Sequence, residues 1–274
     1  DLFLFDLGQS WVVNSGTPAI DLIISYAPRT IWLGFWAVLI ALGIGIPLGF
    51  YAGLNPNTFS DYFASFGGIV WRAMPNFWLA VILVTVLSQT EQLFGFSWTS
   101  FIVETNVVTS PNLAVLKNPT RLITDPGQAW TNLAKATKQI LPPALVLGSA
   151  SMGTEMRIGR TAVLETINSK YVETAKAKGV SPRVLVWKHI FRNALIPLVP
   201  VITAEAFILI GGSVLVETVF SINGIGLLFF RAAEQGDLPL VGTLMYLFIL
   251  LIVGLNIVQD FAYTIIDPRV GYDA

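Results

Sequence analysis

The chain of 274 residues contains no cysteine. Disulfide staples, thiolate nucleophiles and cysteine-ligated metals are therefore excluded. It contains a single histidine, His189, so a histidine-rich metal site is excluded as well. Charge is scarce: Asp, Glu, Lys and Arg make up 12% of the residues, about half of the roughly 25% usual in a soluble domain. That is too little polar surface to cover a water-facing fold. The net charge of −1 creates no global field that would draw nucleic acid, and none is expected as a partner. No G-x-x-x-x-G-K-S/T loop is present, so the chain has no phosphate cradle for ATP. No G-x-S-x-G turn or paired catalytic His and Cys marks an enzyme, and the expectation is that it is not one. A secretory leader with a basic start and a small-residue cleavage site is also missing. The sequence opens at Asp1 without methionine, and one further spanning helix is expected upstream of it.

What is abundant is apolar length. Hydrophobic residues are 54% of the chain and the mean hydropathy is +0.69. Five runs are long enough to cross the ~30 Å hydrocarbon layer as helices. They cover about Thr30–Leu54, Tyr62–Leu87 (with Arg72 and Pro75), Pro142–Leu164 (with Glu155, Arg157 and Arg160), Leu195–Val219 (with Glu205) and Pro239–Ile266. None shows the period-two alternation of barrel strands, so an all-α polytopic membrane protein is expected.

Lys and Arg set the orientation. Eight of the sixteen fall between Arg157 and Arg192, which places that window in the cytoplasm by the positive-inside tendency. The C-terminal tail, residues 267–274, is then cytoplasmic too. Residues 1–29 form an external lead-in, residues 30–266 the transmembrane domain, residues 90–140 an external insertion and residues 165–197 a cytoplasmic loop. A helix is expected near Ala129–Ile140 within the insertion.

The cytoplasmic loop carries the clearest local grammar. Glu173–Lys178 suits a short helix that Gly179 ends at its C-cap. Ser181 then caps a second helix with Pro182 at its first position. Val184, Leu185, Trp187, Lys188, His189 and Phe191 follow on that rod. Two short angled helices beneath a membrane bundle make a projecting knob; a basic loop on anionic lipid is the other reading of the same residues.

This segment resembles the EAA loop of bacterial and archaeal ABC importer permeases, whose pattern is E-A-A, three residues, G. Glu173, Ala175 and Gly179 match, and Thr174 replaces the middle alanine. Phe191-Arg192 stands where the common continuation has Leu-Pro, and Ile196-Pro197 comes further on. That departure suits the dipeptide/oligopeptide branch, which the chain resembles in RNALIP (Arg192–Pro197). The same branch is resembled, in order, by FDLGQS (Phe5–Ser10), APRTIWL (Ala27–Leu33), GIPLG (Gly45–Gly49), MPNFW (Met74–Trp78), LPPALVLG (Leu141–Gly148), GGSVLVETVFSINGIG (Gly211–Gly226) and DPRV (Asp267–Val270). The likeness is to the first of the two permeases of such importers, and it extends over nearly the whole chain. The insertion from Thr90 is longer than that family suggests.

The resemblance implies a type I ABC importer permease fold in the cell membrane, surrounded by lipid. It implies pairing with a second homologous permease, with two cytoplasmic ATPase subunits, and with an external binding protein that delivers a peptide. ATP and Mg would be bound by the ATPases, with no cofactor in this chain. The residues expected to carry coupling are Glu173, Ala175, Gly179, Pro182, Val184, Leu185, Lys188 and His189. Nickel, glutathione or another small solute is the alternative cargo, and an ion-gradient transporter the alternative class.

Charges inside the bilayer are costly and usually face a cavity or a partner. Arg72, Asn76 and Glu205 are the candidate pathway residues, since an Arg and a Glu could guide the two ends of a zwitterionic peptide. Arg72 and Glu205 could instead pair with each other or with the second permease, and Glu155 could neutralise Arg157, Arg160 or a headgroup. The glycines at 43, 45, 49, 211 and 212 suit close helix packing.

Overall fold

The computed structural model describes residues 7–98, 120–203, 205 and 214–266. Among them there is no strand, only an isolated bridge between Gln9 and Pro18. The helices are α1 (Ala19–Leu54), α2 (Phe59–Ala73), α3 (Asn76–Ser88), α4 (Thr90–Phe94), α5 (Arg121–Thr124), α6 (Pro126–Ile167), α7 (Lys170–Ala177), α8 (Pro182–Thr203), α9 (Val214–Val219), α10 (Ile225–Gln235) and α11 (Leu238–Ile266).

Several boundaries differ from expectation. Helix α1 begins at Ala19, eleven residues before the expected span, so part of the lead-in is helical. Its 36 residues give ~54 Å, more than the hydrocarbon layer needs. A π-helical turn at Ala41–Gly45 lies just ahead of Pro47, whose missing N–H cannot close an ordinary helical bond. The second expected span is not one helix. Met74 and Pro75 are extended and separate α2 from α3, because the residue before a proline is pushed out of helical geometry. The helix expected near Ala129–Ile140 is the start of α6, a single 42-residue run through Pro142 and Pro143. Polar and charged residues thin its apolar density, so it is not among the three described helices that qualify as spans by length and composition, α1, α8 and α11. Gly211, Gly212, the 99–119 part of the insertion and the 267–274 tail lie outside the described residues.

The chain divides into two compact units. One draws on residues 7–37, 75–98, 120–147 and 214–250. Its core joins Ala19, Leu22 and Ile23 of α1 to Ile225, Leu228 and Ala232 of α10 and to Leu240 and Leu244 of α11. A buried polar knot sits beside it. Thr30 Oγ1 donates to Glu217 Oε1 at 2.8 Å, the Leu227 N–H donates to Glu217 Oε2 at 2.9 Å, and the Ile225 N–H donates to Thr30 Oγ1 at 2.7 Å. A Cβ at Gly224 would lie 2.4 Å from Thr30 Oγ1, so only glycine lets the SINGIG turn close over this knot.

The other unit draws on residues 38–74, 148–203, 205 and 251–266. Its frame is the end of α1 and α2, in contact with each other and both packed on the second half of α6. Gly45, Gly49 and Gly53 recur every four residues and face Met152 and Glu155, then Met156, then Arg160 and Val163. A Cβ at Gly49 would come 2.5 Å from the Met156 carbonyl. This G-x-x-x-G-x-x-x-G ridge lets two backbones approach where lipid supplies no hydrophobic drive. The contact order makes α1 and α6 parallel. Gly68 of α2 meets Gly153, while Ala64 lies with Met156, so α2 runs antiparallel to α6.

Outward faces are apolar instead of charged. Phe63, Phe66 and Ile69 of α2 and Ile252, Val253, Ile257 and Phe261 of α11 are all exposed. Such a surface suits hydrocarbon and not water.

Candidate coupling site

The sequence Lys170–Val180 folds as its residue types require. Helix α7 ends at Ala177, and Gly179 follows with φ 73°, the left-handed conformation that costs glycine nothing. The Gly179 N–H donates to the Lys176 carbonyl at 3.0 Å, and the Val180 N–H donates to the Ala175 carbonyl at 3.2 Å. These two bonds are a Schellman cap, and Val180 supplies its apolar contact by packing against the adjoining core. Ser181 occupies the N-cap of α8 with Pro182 first in the helix, as expected, but the Ser181 side chain makes no capping bond.

Helix α8 is the main surprise. It does not stop at Phe191. A π-helical stretch, Leu185–Phe191, leads through Arg192–Ala194 and a 3-10 turn at Ile196–Leu198 into apolar helix up to Thr203. The second rod and the following apolar segment are one continuous run.

The expected coupling residues fall into two groups. Ala175 and Leu185 are buried, in a core with Phe50 of α1, Ala162 and Val163 of α6, Val172 of α7, and Ile190, Ala194 and Leu198 of α8. They clamp the rods onto the helices that carry the glycine ridge. Glu173, Gly179, Pro182, Val184 and Lys188 are exposed on the other side, and His189 is half-buried. Trp187, expected on this rod, is 61% exposed, and its ring lies tilted 5.1 Å from that of Phe191, which in turn lies tilted 5.0 Å from that of Phe50. The surface is a ridge with Lys176, Lys178, Arg183 and Lys188 around an apolar step, Val184 and Trp187.

Arg72 is exposed in the last turn of α2, Asn76 opens α3 in the other unit, and Glu205 is 7% exposed. Among the described residues, no ion pair joins Arg72 to Glu205. Arg160 does not neutralise Glu155, as one reading allowed; it forks onto Asp61 of α2, with Nε and Nη2 on the two carboxylate oxygens and the Nη2 bond at 2.9 Å. Glu155 is fully buried, and neither of its oxygens has a hydrogen-bond partner among the described residues.

A further clamp lies at the start of α11. Asp237 Oδ2 accepts from the Ser10 hydroxyl at 2.5 Å and from the Val12 and Val13 N–H groups at 3.1 Å, and Oδ1 accepts from the Trp11 N–H at 3.1 Å. Burial pushes the Asp237 carboxyl up, but the Ser10 hydroxyl and the Val12, Trp11 and Val13 amides outweigh it and hold the group at about 2.

Comparison with known proteins agrees with this architecture. Residues 45–272 match the family model described as binding-protein-dependent transport system inner membrane component. The chain is 32% identical to the oligopeptide transport system permease protein AppB of Bacillus subtilis, over 97% of this chain and 76% of that one. It is 30% identical to the dipeptide transport system permease protein DppB of Alkalihalophilus pseudofirmus, over 99% and 79%. It is also 30% identical to the inner membrane ABC transporter permease protein YejB of Escherichia coli, over 100% and 70%. A solved inward-facing structure of the MetNI methionine ABC transporter shares the fold, with a TM-score of 0.61 over 91% of this chain and 98% of that one at 20% identity. The chain belongs to the family of binding-protein-dependent transport system inner membrane components, the multi-pass permeases of ABC importers.

Proposed function

We propose that this chain is one of two paired permeases that carry dipeptides and oligopeptides inward by alternating access, powered by two ATPase subunits beneath it. The observation that carries the reading is mechanical continuity. The exposed ridge at Glu173, Gly179, Pro182, Val184, Trp187 and Lys188 is fixed through Ala175 and Leu185 to α1 and α6. A push on α7 or α8 therefore reaches apolar helix without crossing a flexible joint. The basic ridge with its apolar step suits a concave, partly acidic protein cleft, in which aromatic anchors dominate binding. ATP and Mg belong to those partners, and the chain itself makes or breaks no bond. An external binding protein hands over the peptide. The peptide cargo rests on the printed roles of the AppB and DppB relatives.

The test is uptake in proteoliposomes that hold both permeases and both ATPases. Labelled dipeptide should accumulate only with ATP and binding protein, and unlabelled di- to hexapeptides should compete. Competition by nickel or glutathione but not by peptides would overturn the cargo. Uptake that persists when the ATPase catalytic glutamate is replaced would overturn the energy source.

A further inference from the structure

Glu155 has no role in the coupling surface, yet it is the least provided-for charge in the chain. It is 0% exposed, and both carboxylate oxygens lack a partner among the described residues. It sits against the end of the π-helical turn of α1, where a Cβ at Gly45 would lie 2.5 Å from Oε2. Gly45 is ten residues from the end of α1 at Asn55, so about 15 Å along the helix and near half the hydrocarbon depth. A second carboxyl group of the same unit, Glu205, is also buried, at 7% exposed.

Among the described residues, the neighbouring elements supply no counter-ion. The stretch of α1 from Ala41 to Leu54 has no charged residue, and its Tyr51 is exposed. From α2 come Asp61, Tyr62 and Arg72; Asp61 is taken by Arg160, and Tyr62 and Arg72 are exposed. On α6 itself, Arg157 is exposed. The charged residues of α8 end at Arg192, thirteen residues or ~20 Å before Glu205. An ionised Glu155 here would be an uncompensated buried charge, and proteins resolve that by neutralising the group.

We propose that Glu155 is a proton-binding site within the membrane bundle. Its proton stays in place in this conformation and passes to water when the packing of α6 on α1 loosens during transport. The π-helical turn is the weak point of that packing, since such turns interrupt the regular helical ladder. Proton exchange then accompanies each cycle without powering it, and ATP-driven uptake varies with pH through this residue.

Infrared difference spectra of the assembled complex in lipid at neutral pH test this without any solute, so the outcome does not depend on what is carried. The wild type should show the carbonyl stretch of a protonated, buried carboxylic acid. Glu155→Gln, which keeps the shape and cannot ionise, should lose it, and Glu155→Asp should shift it. That shift gives the reading if the glutamine variant fails to assemble. A wild type whose spectrum changes only in ionised-carboxylate bands on either substitution would overturn the proposal.

Discussion

At the scale of single residues, buried carboxylates organise this protein, and each is provided for differently. Glu217 is tied by Thr30 and a backbone amide, Asp61 by Arg160, and Asp237 by a hydroxyl and three amides. Asp237 offers a pH-dependent test because it lies just ahead of the apolar run of α11. Its carboxyl is held below 3.8, at about 2. The ionised form therefore stabilises the fold above about pH 4, and that contribution fades as pH falls from about 4 towards 2. Asp237→Asn should lower the thermal stability of the purified complex at neutral pH by about 1.5–3 kcal/mol, the value of hydrogen bonds to a charged group. The gap to wild type should shrink as pH approaches 3. An equal gap at both pH values would show that charge is not what holds the loop. None of these partnerships was legible in sequence. Ser10 and Asp237 are 227 positions apart and Asp61 and Arg160 are 99 apart, and no local spacing marks such pairs.

At the scale of elements, periodicity was legible where the constraint is local. The cap at Gly179 and proline at the start of α8 follow from residue types in adjacent positions. The break at Pro75 and the unbroken passage of α6 through Pro142 and Pro143 were not separable from sequence. Tertiary packing decides whether a proline bends, starts or ends a helix. The glycines divide in the same way. Gly45 and Gly49 make the close approach expected of them, Gly53 joins them, and Gly43 has open space around it. Gly49→Ala should therefore cost about 1–3 kcal/mol in thermal denaturation, as overpacking does, while Gly43→Ala should leave stability unchanged. Equal effects would contradict the ridge. Gly179 separates shape from contact. Its Cβ direction is empty, and Asp tolerates the left-handed conformation better than most residues. Gly179→Asp should thus insert and assemble, yet lose peptide uptake while ATP hydrolysis continues. Uptake equal to wild type would remove the loop from the coupling path.

At the scale of the whole molecule, composition already excluded a water-soluble fold. Long apolar runs predicted a helical bundle, and the family likeness predicted what stands beneath it. What composition could not supply is how the cytoplasmic rods connect to the bundle. That connection is the buried cluster around Ala175, Leu185 and Phe50, together with the continuity of α8. The cluster depends on residues far apart in the chain, each of which looks ordinary in its own segment.

The account stands on the exposed side of those rods docking onto a nucleotide-driven partner. The absence of cysteine makes the measurement clean, because Trp187→Cys places the chain's sole thiol at the apolar step of the ridge. With the partners assembled in lipid, a short bifunctional reagent should link that thiol to an ATPase subunit, in a yield that changes between ATP-bound and nucleotide-free states. A thiol that reacts only with lipid-soluble or aqueous probes, and never links to an ATPase, would contradict the account.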